Sequence, residues 1–281
     1  MRMDNRLLTQ CLVNLLFATS LSAATVDGIP LHSSANGKGP RTLILVHGWT
    51  CDDRTWGSQV PELSRRYRVI TLDLPGHGQS GSPKDGKLSM DLFARAIEAV
   101  RKEQRAERVV LAGHSMGTAA IMQYARLYPE HTVALVLVDG TVSMPASVPR
   151  DPMLSFARQY GESLKAREAA VQAMFTANTT QEVRTQVLSM ILAVPSATPL
   201  AAMEAFVDSA TWKEDVFRQP VLAVSSDMLE ATDRESDLDY MKTRFPNLEY
   251  VKMAGTGHFL MLEKPAQFNA LLKSFVDRLK Y

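Results

Sequence analysis

The sequence VVLAGHSMG, residues 109–117, decides the fold of this chain. A short apolar run that ends in glycine predicts a buried strand, and the residues from Met116 onward predict the start of a helix. Between them, Gly113-x-Ser115-x-Gly117 places a serine on a sharp strand-to-helix turn. Glycine is needed on both sides because side chains there would collide with neighbouring elements. Such a turn raises the serine hydroxyl above the sheet and directs helix N–H groups towards whatever it attacks.

Strands and helices alternate on both sides of this turn. Apolar residues at helical spacing predict a helix over Met90–Glu103, and turn residues within 25–39 predict a short opening hairpin. Continuous apolar runs predict parallel strands that are covered on both faces: residues 42–46, 69–72, 133–138 and 220–224. Strands that alternate with helices in this way predict a parallel sheet with right-handed crossovers.

The alternation stops between residues 141 and 212. No strand is predicted there, but helices are predicted near residues 154–172, 180–192 and 200–207, with prolines between them. A helical insertion of this kind is typical of a lid rather than of a new domain. The sequence therefore predicts a core formed by residues 24–140 and 213–281, with a helical cap at 141–212.

The first 23 residues have the organisation of a secretory signal peptide. Arg2 and Arg6 precede a short apolar run, and small residues follow it up to Ala23 and Ala24. The apolar run is too short and too interrupted by polar residues to suit a membrane anchor, which is the alternative interpretation. We predict cleavage after Ala23 or Ala24, no stable membrane span after processing, and a secreted or periplasmic location.

The charges of the chain balance. The full sequence has 31 basic and 30 acidic residues, and loss of residues 1–23, with Arg2, Arg6 and Asp4, leaves 29 of each. This balance gives no electrostatic basis for binding nucleic acid, so no nucleic-acid partner is expected. The oligomeric state stays open. No metal-ligand cluster or nucleotide-binding glycine loop is apparent in the sequence, so no cofactor and no metal are expected.

Four blocks of sequence resemble one known group of proteins. They are HGW at residues 47–49, DLPGHGQS at 73–80, GHSMG at 113–117 and GHFLMLEKP at 257–265. With these blocks in this order, the chain resembles the α/β-hydrolase fold superfamily, in its esterase- and lipase-like branch with a helical cap. The resemblance implies a mostly parallel, eight-stranded sheet flanked by helices, with the helical cap inserted after the sixth strand.

The resemblance also implies roles for individual residues. Haloalkane dehalogenases and epoxide hydrolases of this superfamily carry aspartate at the turn, whereas this chain has Ser115, which implies acyl transfer. His258 follows the last strand, where this fold places its base. The oxyanion hole would be formed by the backbone N–H groups of Trp49 and Met116. The turn histidines are expected to have shape or hydrogen-bonding roles: His47, His77 and His114.

The acid of the triad has more than one candidate. Many members of the superfamily carry it after the penultimate strand, at a position that holds Leu229 here, and Asp227 and Glu230 lie near it but out of register. Other members carry it after the strand that follows the serine helix, and that position holds Asp139. We predict Asp139 as the acid, with Asp227 and Glu230 as alternatives.

Together these residues predict a serine hydrolase that cleaves a carboxylic ester through an acyl-enzyme. Methionine and phenylalanine are frequent in the cap, which favours an apolar pocket for a small or medium acyl group. A lactonase, a carbon–carbon bond hydrolase or a perhydrolase would use the same residues. A binding protein or receptor that keeps the triad but turns over little is the alternative from another class.

Overall fold

The computed structural model describes residues 24–144, 147–228 and 235–281, and the side chains of the third range from residue 238 onward. Two predicted features lie outside these residues. One is the signal peptide, residues 1–23, and the other is Glu230, an alternative for the acid. The architecture below is that of the described residues.

The elements follow the order that the sequence pattern predicts. The strands are β1 (Thr25–Val26), β2 (Ile29–Pro30), β3 (Ser33–Asn36), β4 (Thr42–Val46), β5 (Arg68–Leu72), β6 (Val109–His114), β7 (Thr132–Val138), β8 (Val221–Ser225) and β9 (Leu248–Lys252). The α-helices are α1 (Val60–Leu63), α2 (Met90–Glu103), α3 (Met116–Leu127), α4 (Arg150–Glu162), α5 (Leu164–Gln172), α6 (Gln181–Ala193), α7 (Thr198–Val207), α8 (Glu235–Arg244), α9 (Leu260–Glu263) and α10 (Pro265–Arg278). From β4 to β9 strands and α-helices alternate, except between β7 and β8, where four α-helices follow one another.

The large sheet has the strand order β3-β5-β4-β6-β7-β8-β9. Only β3 runs antiparallel to its neighbour, and the pairs from β5 to β9 are all parallel. The chain moves from β4 to β5 on one side and then returns to place β6 on the other side of β4. Ligands of open α/β sheets bind beyond the carboxyl ends of strands at such a reversal. This topology therefore places residues that follow β4 and β6 around one crevice.

The structure corrects the predicted number of strands. In the described residues the large sheet has seven strands rather than eight, because β1 and β2 pair only with each other. Asp27 and Gly28 both have positive φ, 51° and 78°, and this two-residue turn folds the chain back on itself. The helical insertion accordingly follows β7, the fifth strand of the large sheet, rather than a sixth strand.

The sheet is covered on both faces. In β4, Ile44 and Val46 pack on one face while Leu43 and Leu45 pack on the other, as the period of two along a strand requires. Helices α2, α3 and α8 cover the first face, and α1, α9 and α10 cover the second. All four side chains are fully buried, which explains why the sequence of β4 is continuously apolar.

The helical segment, which we define as residues 147–212, contains α4 to α7. Helices α4 and α7 pack against each other, and α5 packs against both α4 and α6. Among the described residues no single helix is long and apolar enough to span a bilayer; α6 and α7 meet that criterion only as a pair, and they are bent by 95° at their junction.

Candidate active site

Ser115 lies on the turn between β6 and α3. Its backbone angles are φ 53° and ψ −119°, a conformation that costs of the order of 1–3 kcal/mol for a residue other than glycine. Its N–H donates to the carbonyl of Val138 at 2.9 Å, and its own carbonyl accepts from the N–H of Thr118 at 2.9 Å. The hydroxyl makes no hydrogen bond to another described residue, so it is available to a base or a substrate.

Two glycines make this turn possible. A Cβ atom on Gly113 would lie 2.4 Å from the carbonyl oxygen of Gly117, and one on Gly117 would lie 2.6 Å from that of His47. Both distances are far below ordinary contact and both oxygens belong to the backbone, so neither site tolerates a side chain. The steric reason inferred from the sequence is thus present in the structure.

Backbone strain is concentrated around this turn. Among the described residues five that are not glycine have positive φ, and three of them are Thr50, Ser115 and Asp139, which follow β4, β6 and β7. Such strain persists only where the surrounding structure enforces it, and it is common at functional sites. The carboxyl edge of the sheet is therefore the natural place to look for a site.

His258 and Asp139 are joined by a hydrogen bond. Nδ1 of His258 lies 2.6 Å from Oδ2 of Asp139, and the backbone N–H of Ser226 donates to Oδ1 of Asp139 at 2.7 Å. The Asp139 carboxylate is fully buried, and the His258 ring is 20% exposed. Burial alone would raise the pKa of Asp139, but the bonds from His258 and Ser226 outweigh burial and hold that pKa below its ordinary value. An ionised Asp139 fixes the His258 tautomer with Nε2 as the acceptor.

Asp227, the second candidate for the acid, has other partners. Its Oδ2 accepts from the N–H of Gly255 at 2.5 Å, and its Oδ1 lies 3.5 Å from Nζ of Lys252. The Asp227 side chain is 43% exposed and makes no bond to His258. Of the candidates within the described residues, the structure thus brings Asp139 and not Asp227 to the histidine.

Two buried histidines hold the loops of the site. Nε2 of His114 donates to the carbonyl of His258 at 2.8 Å, and burial, helped by His258, lowers the pKa of His114 to about 3. The ring is therefore neutral at ordinary pH. His47 accepts from the N–H of Leu74 through Nε2 at 2.9 Å and donates through Nδ1 to the carbonyl of Gly48 at 2.8 Å. Both have the hydrogen-bonding roles that the sequence suggests.

The two predicted oxyanion donors are Met116, which follows Ser115 in the chain, and Trp49, on the turn after β4. Met116 is the first residue of α3, so its N–H has no partner within the helix. Trp49 follows Gly48, and a Cβ atom on Gly48 would lie 3.0 Å from Cβ of Ser115. The turn that carries Trp49 thus approaches Ser115 closely at Gly48.

The helical segment contacts the histidine loop directly. The N–H of His258 donates to the carbonyl of Met174 at 3.1 Å, and a Cβ atom on Gly257 would lie 2.7 Å from that same oxygen. From the core, Oε2 of Glu263 accepts from the N–H of Gly257 at 2.9 Å. Sequence reasoning missed both partners. Only Glu263 had a visible signal, since it lies in the same sequence block as His258.

An apolar cluster packs against Trp49. Its buried members are Met144, Ala157, Met203 and Val207, and the partly buried residues around them include Trp49, Val148, Met153, Leu154, Leu200, Phe206 and Trp212. Other methionines and aromatic residues of the helical segment, such as Met190 and Phe175, pack instead against the core. Only part of the methionine and phenylalanine set of the segment therefore lies in the cluster beside Trp49.

One group of side chains in the described residues has the proximity of metal ligands. Ligand atoms of His32, Asp53 and Asp73 lie within 4.8 Å of one another. The oxygens of Asp73 already accept from the N–H groups of Asp53 at 2.8 Å and Gln79 at 2.7 Å. These bonds close the turn after β5, and that is the role in which the structure places Asp73.

A mostly parallel sheet, with a strained serine between a central strand and the following helix, defines an α/β-hydrolase fold. A sequence model of the alpha/beta hydrolase family matches residues 43–271, and the chain belongs to that family.

Individual relatives are hydrolases. The chain is 28% identical over 257 residues to a pimeloyl-[acyl-carrier protein] methyl ester esterase of Aeromonas hydrophila, an alignment that covers 85% of this chain and 96% of the relative. A thermophilic esterase from Thermogutta terrifontis has a TM-score of 0.81 at 21% identity, covering 91% and 97% of the two chains. An enol-lactonase from Burkholderia xenovorans has a TM-score of 0.77 at 20% identity, covering 92% and 100%. The two structural matches show the shared fold.

Proposed function

We propose that this chain is a carboxylic ester hydrolase that works through an acyl-enzyme on Ser115. The observation that carries the proposal is the pairing of His258 with the buried carboxylate of Asp139, with the His258 carbonyl hydrogen-bonded to His114, the residue before the strained Ser115. A serine hydroxyl is unreactive until a base removes its proton, and a histidine held in one tautomer by an acid is such a base.

The first half of the proposed reaction forms the acyl-enzyme. Nε2 of His258 takes the proton as Oγ of Ser115 bonds to the ester carbonyl carbon, and the carbonyl π electrons move onto oxygen. The N–H groups of Trp49 and Met116 stabilise that oxyanion, and each such donor is worth about 10²–10³ in rate. The oxyanion then collapses, the bond to the alkoxy group breaks, and His258 gives its proton to the departing alcohol.

The second half repeats these steps with water. His258 removes a proton from water, the hydroxide oxygen bonds to the acyl carbon, and Ser115 leaves with the proton that His258 returns. Asp139 stays ionised throughout and stabilises the imidazolium that forms twice in each cycle. The low pKa of Asp139 suits this role, because a carboxylate must remain charged while the histidine beside it is protonated.

The substrate class is proposed from the apolar cluster beside Trp49. Its members are aliphatic, thioether and aromatic side chains, which favour a small or medium apolar acyl group. The Aeromonas relative is a methyl ester esterase, which agrees with a small alcohol as the leaving group. A lactone is an internal ester and reacts by the same steps, so lactones belong in the substrate panel.

The test of the proposed function is covalent labelling followed by turnover. A fluorophosphonate probe should label the wild-type protein on Ser115, with mass spectrometry of the modified peptide as the measurement. Turnover of p-nitrophenyl esters of increasing acyl length should follow, with a maximum at short or medium chains. Labelling without turnover of esters, lactones or diketones would favour the binding protein or receptor and would refute the esterase.

We further propose that the protein is exported after cleavage behind Ala23 or Ala24. The support is the order of basic, apolar and small residues in the sequence 1–24. Intact-mass measurement on protein from its native host should give a chain that starts at Ala24 or Thr25. A full-length chain recovered from the cytoplasm would refute export without affecting the proposed reaction.

A further inference from the structure

The loop that carries Trp49 contains an unfavourable residue. The N–H of Cys51 donates to the carbonyl of Gly48 at 3.3 Å, so Trp49 and Thr50 are the central residues of a tight turn. Thr50 has a φ of 58° and is only 1% exposed. A turn position with positive φ favours glycine or asparagine, and a β-branched residue there is strained. Contacts with the surrounding structure must therefore hold Thr50 in this conformation.

Within the described residues, the side chain of Thr50 has one hydrogen-bond partner, and that partner comes from the helical segment. Oγ1 of Thr50 and the hydroxyl of Tyr160, on α4, share a hydrogen bond of 3.1 Å. Tyr160 is completely buried. Its own backbone is held in turn, because Nε of Arg167 donates to the carbonyl of Tyr160 at 3.0 Å. The hydroxyl that bonds to Thr50 therefore belongs to a side chain whose backbone is itself held in place.

Tyr160 also packs on the side chain of Trp49. The two ring centroids are 4.6 Å apart, and Nε1 of the Trp49 indole donates to the carbonyl of Pro199 on α7 at 2.9 Å. The side chains of both central residues of the turn are thus fixed by residues of the helical segment. The N–H of Trp49, which the proposed reaction places at the oxyanion, has its orientation set by these contacts.

We propose that Tyr160 is a positioning residue that holds the Trp49 N–H in line with the oxyanion through its bond to Thr50 and its contact with the Trp49 ring. This inference rests on the proposed function, since it assumes that Trp49 is an oxyanion donor. It adds that the helical segment aligns the reacting groups as well as covering the substrate. The hydrogen bond from Tyr160 to the Thr50 hydroxyl holds this strained residue in its positive-φ conformation.

The test removes the Tyr160 hydroxyl alone. Tyr160→Phe keeps the ring on Trp49 and deletes the bond to Thr50. Loss of a whole oxyanion donor costs about 10²–10³ in rate, and a donor that stays present but poorly aligned should cost about tenfold in kcat. KM should stay within about twofold, because an oxyanion bond forms in the transition state and not with the ester. A trifluoromethyl ketone, which forms an oxyanion on the serine, should bind about tenfold more weakly.

Tyr67→Phe is the matched control. Tyr67 is also buried, and its hydroxyl donates to Oδ1 of Asp277 at 2.7 Å, but it precedes β5 at the opposite edge of the sheet. Tyr160→Phe loses a bond between two hydroxyls, whereas Tyr67→Phe loses donation to a carboxylate and to the carbonyl of Lys273, so Tyr67→Phe should lose at least as much thermal stability. Only Tyr160→Phe should lower kcat and the affinity for the ketone.

Threonine variants test the same bond from its other end. Thr50→Ser keeps a hydroxyl and should keep kcat within about twofold, whereas Thr50→Val should match Tyr160→Phe. The double variant, Thr50→Val with Tyr160→Phe, should be no worse than either single variant because both remove one bond. These variants also decide the question if Tyr160→Phe fails to fold.

The inference is overturned if Tyr160→Phe and Thr50→Val keep wild-type kcat, or if Tyr67→Phe lowers kcat equally. Multiplicative losses in the double variant would overturn it as well. These outcomes leave the proposed function intact, because the wild-type protein would still be labelled and still turn over. A wild-type protein that is neither labelled nor active refutes the proposed function and this inference with it.

Discussion

The carboxyl-edge turns of the sheet and the helical segment contribute to the candidate site in different ways. In the turns after β4, β6 and β7 the backbone itself is constrained, with positive φ at Thr50, Ser115 and Asp139. In the helical segment, residues 147–212, no residue has a positive φ. Its contribution consists of main-chain carbonyls, such as that of Met174, and of side-chain contacts, such as the ring of Tyr160 on Trp49 and its hydroxyl on Thr50.

This difference separates two kinds of information. Where a turn has no room for a Cβ atom, the sequence must have glycine at a fixed spacing from the functional residue, as Gly113 and Gly117 have from Ser115. That spacing makes the turn recognisable in the sequence. A carbonyl can be supplied by any residue, and a ring contact between distant elements follows no spacing. The residues of the turns that carry the proposed chemistry can therefore be predicted from the sequence, whereas the contacts from the helical segment can be found only in the structure.

The largest expected effect is the loss of turnover on removing the proposed nucleophile or the proposed base. Ser115→Ala and His258→Ala should each lower turnover by at least about 10⁵, and the double variant should be scarcely worse, because the two residues act as a unit. Steady-state kinetics on a p-nitrophenyl ester, with circular dichroism to verify folding, is the measurement. Multiplicative losses would show that the two residues do not share one mechanism.

The second effect distinguishes the candidate acids. Asp139→Asn should lower turnover by about 10⁴, since an amide neither fixes the histidine tautomer nor stabilises the imidazolium. Asp227→Asn is the matched control, and Asp227→Asn and Glu230→Gln should each lose less than about tenfold. Near-normal turnover in Asp139→Asn together with collapse in one of the others would move the acid to the end of β8.

Much of the fold could be predicted from the sequence, and so could the turn on which each candidate residue lies. The helix Met90–Glu103 has the predicted bounds, because its apolar stripe and the Ser89 cap define both face and start. The strand count could not be predicted, because a two-residue turn at Asp27-Gly28 decides whether the opening strands join the sheet. The choice between Asp139 and Asp227 also needed the structure, since it depends on three loops meeting in space.

Two buried histidines of the core, His77 and His114, should make the stability of the protein sensitive to acid. Burial lowers the pKa of His77 and of His114 to about 3, below the ordinary value of 6.5. The unfolded chain therefore binds more protons than the folded chain between pH 6.5 and 3. The free energy of unfolding is at its full value well above pH 6.5 and decreases as the pH is lowered through this range. Each histidine should cost about 2 kcal/mol at pH 5, or about 10³ in the unfolding equilibrium constant for both.

Urea unfolding at pH 7, 6 and 5 measures this slope. His77→Asn keeps a donor for the carbonyl of Pro75, which Nδ1 of His77 contacts at 3.1 Å, but it cannot titrate. This variant should lose about half of the pH dependence. No histidine occurs between residues 141 and 212, so the sensitivity belongs to the core. A slope unchanged in His77→Asn would show that other groups cause the acid sensitivity.

The smallest expected effect belongs to the helical segment. Phe156 on α4 is 44% exposed, and its ring centroid lies 5.9 Å from that of Trp49. Phe156 is not part of the apolar cluster but contacts its Trp49 ring, so we expect it to reach only the far end of a longer acyl chain. A fully buried methylene is worth about 0.8 kcal/mol. Phe156→Ala should therefore lower kcat/KM about threefold for a hexanoyl ester and leave an acetyl ester unchanged, as measured on matched p-nitrophenyl esters.

Leu164→Ala is the control for Phe156→Ala. Leu164 is likewise an exposed apolar side chain of the helical segment, 60% exposed at the start of α5, and we expect its loss to change neither ester. If Phe156→Ala slowed the acetyl and hexanoyl esters equally, Phe156 would act on the Trp49 turn rather than on the acyl chain. The helical segment would then serve alignment alone, and the selection of the acyl group would have to come from the core, which would reverse the division between the two regions.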